Sequence, residues 1–70
     1  MNNGISQKIK MLRKNKNLSQ AGLGIALGVS RAKISNWELG RRAVSIKDAV
    51  QIANYFHITI EDLLNLQEEK

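Results

Sequence analysis

Gly28 constrains this chain more than any other residue. On its amino side Leu23, Ala26 and Leu27 line one face of a helix, and on its carboxyl side Ile34 and Trp37 line one face of another. Only two residues separate Gly28 from Arg31, so the two helices meet across a very short turn. Gly28 ends the first helix, because a residue without Cβ enters the left-handed conformation at no steric cost. Val29 packs beneath the turn, and Ser30 is the N-cap of the helix that follows.

The same stretch, GLGIALG, invites a comparison with phosphate-cradling loops. The dinucleotide fingerprint needs G-x-G-x-x-G directly after a buried strand, and here the last glycine comes one residue late. The preceding NGISQKIKMLRKNKN is charged and carries apolar residues at helical spacing. Gly22 and Gly24 are therefore helix-interior glycines, each costing about 0.5–1 kcal/mol relative to Ala. Close approach by a neighbouring helix accounts for Gly24 on the packing side, whereas Gly22 has no such account.

Period and punctuation extend the helical reading along the chain. Ile5, Ile9 and Leu12 set a first helix running to about Lys16, with Asn17 able to take the left-handed position that ends it. Ser19 caps the second helix and Gly40 ends the third. Ser45 with Asp48 resembles a capping box and opens a fourth, whose apolar face reads as Ile46, Ala49, Val50, Ala53 and Phe56. His57 stops it, since His tolerates the left-handed backbone better than most residues. Thr59 with Asp62 opens a short fifth helix carrying Ile60, Leu63, Leu64 and Leu66. The expected fold is all-α, with five short helices.

Seventy residues make one small domain, expected to run over residues 1–70 with its core in 5–64 and a tail or linker beginning at 65–70. A chain of this size buries only about 60% of its unfolded surface, too little for a deep cleft, which favours a binding module over an enzyme. No cysteine is present, so neither a disulfide framework nor a thiolate metal site is available. The lone His57 has no second His or Cys beside it for metal binding or catalysis. No catalytic, cofactor-binding, metal or small-molecule site is expected. MNNGISQKIK lacks the apolar run of a signal peptide and nothing approaches a membrane span, so the expected location is the cytoplasm.

Charge is segregated. Residues 1–47 hold ten of the eleven Lys and Arg and a single acid, Glu38, for a net of +9; residues 48–70 hold one lysine against five acids, for −4. The first half suits a polyanion. A helix presented by a short glycine turn can enter the DNA major groove, where its first residues reach base edges. The third helix turns Arg31, Lys33, Ser35 and Asn36 outward.

From Ile5 to Leu64, with SQAGLGIALGVSRAKISNWELG as the best-matching core, the chain resembles the bacterial and phage helix-turn-helix domains of the lambda-repressor, Cro and Xre type. The resemblance implies a compact five-helix domain with helices 2 and 3 as the helix-turn-helix. It implies base reading by Arg31, Ala32 and Asn36, with Ser35 between them. Chemistry agrees: Arg forks onto guanine, Asn pairs with adenine, and an Ala methyl lies against that of thymine. Gln20 matches a glutamine that approaches a phosphate, and Ser19, Ser30, Lys33, Arg41 and Arg42 complete the phosphate set. Gly24 falls where the family has a small residue. The resemblance also implies an ion pair of Arg13 with Glu38. The chain departs from the family's pattern at Ile25, usually polar, at Val44, which replaces a common proline, and at His57, often a glycine.

The expected function is a transcription regulator, most simply a repressor, binding a double-stranded operator of inverted-repeat form as a homodimer. A single recognition helix reads too few base pairs to find one site in a genome. Tyr55, Leu64 and Leu66 are the expected dimer residues, with Ile52 nearby. A restriction-modification controller and an antitoxin remain alternatives within the class. Outside it stand a protein-interaction module using the carboxy-terminal helices and, last, a cationic surface helix for membranes.

Overall fold

Hydroxyl caps open four of the five helices. In the computed structural model, which describes residues 4–64, the side-chain oxygens of Ser19, Ser30, Ser45 and Thr59 accept hydrogen bonds from the backbone N–H groups of Gly22, Lys33, Asp48 and Asp62 at 2.9–3.1 Å. Each satisfies an otherwise orphaned donor of the first turn and contributes about 1 kcal/mol. The helices are α1 (Gly4–Asn15), α2 (Gln20–Leu27), α3 (Arg31–Glu38), α4 (Ile46–Phe56) and α5 (Ile60–Leu64).

Their ends are equally local in origin. Asn17 (φ 59°), Gly28 (φ 75°), Gly40 (φ 75°) and His57 (φ 60°) all occupy the left-handed region. At His57 the following N–H, that of Ile58, returns to the Ala53 carbonyl at 3.0 Å, closing α4.

Ile9, Leu23, Ile34, Trp37, Ala49, Ile52, Ala53, Phe56 and Leu63 form one core to which every helix contributes. α2 packs mainly on α3, α1 on α3 and α5, and α4 on α5 and α2. Gly24 is what lets the α2–α3 pair close. A Cβ there would lie 2.7 Å from the Val29 carbonyl oxygen and 3.4 Å from the Arg31 nitrogen, so the close approach is to the backbone of the turn rather than to a helix face. Gly22 faces its own cap: a Cβ would lie 3.2 Å from Ser19 Oγ and 3.5 Å from a Leu18 methyl.

On α4 the expected apolar face is rotated. Ile46 is 83% exposed and Val50 40%, whereas Ile52 is fully buried. The inward set is Ala49, Ile52, Ala53 and Phe56, because α2 and α5 cover that side and Ile46 stands at the mouth of the preceding loop. Ile52 is therefore core and is removed from any interface. Ala26 also points outward, and Gly24 takes its place beside Leu23 on the covered side of α2. The Ser45–Asp48 capping box is half formed: the serine accepts from the Asp48 N–H, but the Asp48 carboxylate turns to Lys33 instead of back to the cap.

Candidate nucleic-acid interface

α3 is held from behind and left open in front. Ile34 is fully buried and Trp37 is 1% exposed, so these two side chains anchor the helix in the core one turn apart. Arg31 and Ala32 are exposed at its first turn, and Ser35 and Asn36 are half-buried along its flank. Ser30, the cap, is itself exposed. The helix thus presents a guanidinium, a methyl, a hydroxyl and an amide from a fixed backbone.

The loop that follows is tied to the same helix. The N–H groups of Arg41 and Arg42 both donate to the Asn36 carbonyl, at 2.9 and 3.3 Å, while both side chains extend into solvent. Two guanidinium groups are thereby tethered just beyond the α3 carboxyl end.

The same end of α3 is locked by charge. Arg13 Nε donates to Glu38 Oε2 at 2.6 Å and its Nη2 to Oε1 at 3.0 Å, while Nη1 donates to the Leu18 carbonyl at 2.8 Å. Gln20 Nε2 adds a fourth bond, to Glu38 Oε1 at 3.1 Å. One carboxylate therefore joins α1, α2 and α3. The Glu38 and Arg13 side chains are only 4% and 10% exposed. Burial pushes the Glu38 carboxyl up, but the hydrogen bonds from Arg13 and Gln20 and the charges of Arg13 and Lys10 outweigh it and hold the group below the usual carboxylate range. On the other partner, the hydrogen bond to Glu38 raises the Arg13 guanidinium above its ordinary value, against the opposing effect of burial.

Gln20 is drawn into this network, with its backbone N–H at the open start of α2. Ser19 and Ser30 spend one oxygen lone pair on their caps and keep the hydroxyl proton for another acceptor. Lys33, expected among the phosphate contacts, has partners within the chain. Its ammonium lies 3.3 Å from Asp48 Oδ2 and 5.5 Å from the Trp37 ring centroid, and its side chain is 27% exposed. Sequence reading missed Asp48 as its partner; the only signal there, a cap-plus-three spacing, pointed back into α4.

Of the carboxy-terminal residues, Tyr55 is half-buried, set edge-on to Phe56 with ring centroids 5.0 Å apart and with the Lys16 ammonium 5.4 Å from its own centroid. Leu64 is 48% exposed, and Leu66 lies outside the described residues. No group of three or more His, Cys, Asp or Glu that could hold a metal occurs among the described residues, and no helix among them is long and apolar enough to cross a membrane.

A family model described as helix-turn-helix matches residues 9–63, the span that contains the α2–α3 pair and the core around it. The chain belongs to the helix-turn-helix family. Its relatives include the HTH-type transcriptional activator BcrR of Enterococcus faecalis, 38% identical over 63 residues that make up 90% of this chain and 31% of that protein. The HTH-type transcriptional regulator MJ0272 of Methanocaldococcus jannaschii is 36% identical over 66 residues, 94% of this chain and all of that one. The chain thus spans about a third of the length of BcrR and the whole of MJ0272. Among solved structures, the DNA-binding domain of the P22 C2 repressor superposes with a TM-score of 0.83 at 26% identity, covering all of this chain and 96% of that one. The helix-turn-helix fold here is thus the lambda-repressor-like one, found in transcription regulators.

Proposed function

We propose that this helix-turn-helix chain is a sequence-specific transcription regulator of the cytoplasm, a repressor that binds a double-stranded, inverted-repeat operator as a homodimer. The observation that carries the reading is the two-sidedness of α3: Ile34 and Trp37 fix it in the core while Arg31, Ala32, Ser35 and Asn36 are left on its outer side. Such a helix fits the major groove, with Arg31 first to meet a base edge. Ser19, Gln20, Ser30, Arg41 and Arg42 would hold the flanking phosphates through hydroxyls, helix-start N–H groups and tethered guanidiniums.

Repression is the simplest output, because it asks only that the operator be occupied. Pairing through the acidic carboxy-terminal half leaves the basic half free for phosphate. Leu64 and Tyr55 are the described candidates for that contact, and the exposed Ile46 and Val50 add an apolar stripe on α4.

The test separates reading from charge. Arg31→Ala should cost about 1–3 kcal/mol on a duplex selected from a random pool and relax preference at one base pair, whereas Arg41→Ala should weaken all duplexes alike and lower the salt slope by about one unit. Binding titrations at several salt concentrations measure both. Equal losses on selected and random duplex for Arg31→Ala would reduce that residue to a phosphate contact.

A further inference from the structure

Lys33 sits in the third position of the helix proposed to read bases, yet its ammonium is paired within the chain. It reaches Asp48 Oδ2, 3.3 Å away, at the start of α4. Two further facts give this pair a purpose. First, α3 rests on α2 and α1, and α4 rests on α2 and α5; α3 and α4 are not among the helix pairs that pack extensively on each other. A cleft of about 520 Å³ opens beside them, lined by Lys33 of α3, Asp48 and Gln51 of α4, and Val29, Arg42 and Ser45 from the connecting segments. The Lys33–Asp48 pair is a polar tie across that cleft. Second, the same ammonium lies 5.5 Å from the centroid of the Trp37 ring, the side chain that anchors α3 from beneath. With the two side chains only 27% and 15% exposed, the pair is shielded from solvent more than an ordinary surface bridge.

We infer that Lys33 is a positioning residue, which sets the pitch of α3 against the start of α4 through Asp48 and the Trp37 face, and is not a phosphate contact. The inference rests on the DNA-reading function proposed above. Its physical basis is leverage: Lys33 is two residues after Arg31, so a small rotation of α3 about its Ile34–Trp37 anchor displaces the Arg31 side chain from a base edge. A bidentate Arg contact tolerates little displacement.

The two roles for Lys33 predict opposite signs for Asp48→Asn. A phosphate-seeking lysine freed from its carboxylate would bind all duplexes more tightly. A positioning lysine that loses its partner would bind the selected operator more weakly, by roughly threefold to tenfold, with random duplex little changed. Lys33→Met should repeat that loss and leave the slope of log K against log salt where it was, since a lost phosphate contact would lower the slope by about one unit. The double variant should cost no more than either single one, and Asp48→Glu should restore most of the operator affinity. Circular dichroism melts run alongside show that each variant is folded at the binding temperature. Tighter binding by Asp48→Asn, or a reduced salt slope for Lys33→Met, overturns the positioning role while operator preference in the unsubstituted chain stands. If the unsubstituted chain prefers no selected duplex over random DNA, the regulator reading fails, and the positioning role fails with it.

Discussion

α3 and α4 begin in the same way and differ in what they leave outside. Each is opened by a serine whose oxygen accepts the N–H three residues on, at 3.1 Å in both. Each anchors itself with a large aromatic in its last turn, Trp37 or Phe56. Beyond that, α3 turns a guanidinium, a methyl, a hydroxyl and an amide outward, while α4 exposes Ile46 and Val50 alongside Lys47, Gln51 and Asn54. The caps and anchors make each segment a helix of this fold; the outward residues decide what each helix meets. A polyanion suits the first, and a second apolar surface suits the second.

The comparison breaks first if the anchors are not what hold the two helices. Ile34→Ala removes a fully buried side chain from the core that Ile9, Leu23, Trp37 and Ile52 share with it. The expected loss is about 2–5 kcal/mol. Set against a total of about 0.05–0.15 kcal/mol per residue, such a loss removes a large fraction of the chain's stability. Urea titration followed by Trp37 fluorescence measures it. A midpoint within experimental error of the parent would mean that α3 is held by something other than its buried face.

The next test concerns the far end of α3. Glu38→Gln keeps the shape of the side chain and part of its hydrogen bonding, but leaves the Arg13 guanidinium with no counter-charge at 10% exposure. The expected cost is about 1–3 kcal/mol at neutral pH. Its pH dependence has a definite sign. The Glu38 carboxyl is held below its ordinary value in the folded state, so the stability it contributes is present above the unfolded value, near about 4.3, and is lost as pH falls through the folded value. Parent and variant melts should therefore be separated at pH 7 and converge in acid. Parallel curves down to the lowest pH at which both fold would remove the linkage.

How much of this was legible without coordinates follows the distance over which each feature is decided. The caps at Ser19, Ser30 and Ser45 and the left-handed stops at Asn17, Gly28 and His57 depend on a residue and its nearest neighbours, and they read directly from the chain. The inner face of α4 does not. With Ile46, Val50 and Ile52 all present, two sides of that helix are apolar enough to be buried, and only the docking of α2 and α5 chooses Ile52. Gly22 was opaque because its neighbour is its own cap oxygen, a contact that spacing alone does not reveal. The Arg13–Glu38 pair spans 25 residues and came from family resemblance; nothing in the spacing pointed to it. Lys33–Asp48, 15 residues apart, has no such precedent in the resemblance: from the sequence Lys33 offers a phosphate contact and Asp48 the third residue after a cap. Long-range polar pairs are thus the part of the candidate site that local chemistry cannot deliver.

The smallest expected effect on stability sharpens the comparison furthest. Ile46 is 83% exposed at the first position of α4, just after its cap, so Ile46→Asn removes almost no buried area. Its change in folding stability should stay within about 0.5 kcal/mol, as for surface substitutions away from special features. A monomer that used α4 only to close its core would bind the selected duplex as the parent does. If the apolar stripe of Ile46 and Val50 meets a second copy, the variant should keep its melting temperature and lose cooperative binding to a two-half-site duplex, while retaining its affinity for a single half-site. Sedimentation equilibrium of parent and variant on both duplexes distinguishes these outcomes, because a one-to-one complex and a two-to-one complex differ by a whole protein mass. Unchanged two-to-one binding by Ile46→Asn would move the contact further along the acidic carboxy-terminal half, away from the start of α4, with Leu64→Asp as the variant to weigh next. A parent that never exceeds one copy per duplex would end the dimer and with it the need for an inverted repeat. In that case the exposed isoleucine would reflect only that α4 has more apolar residues than the core can cover.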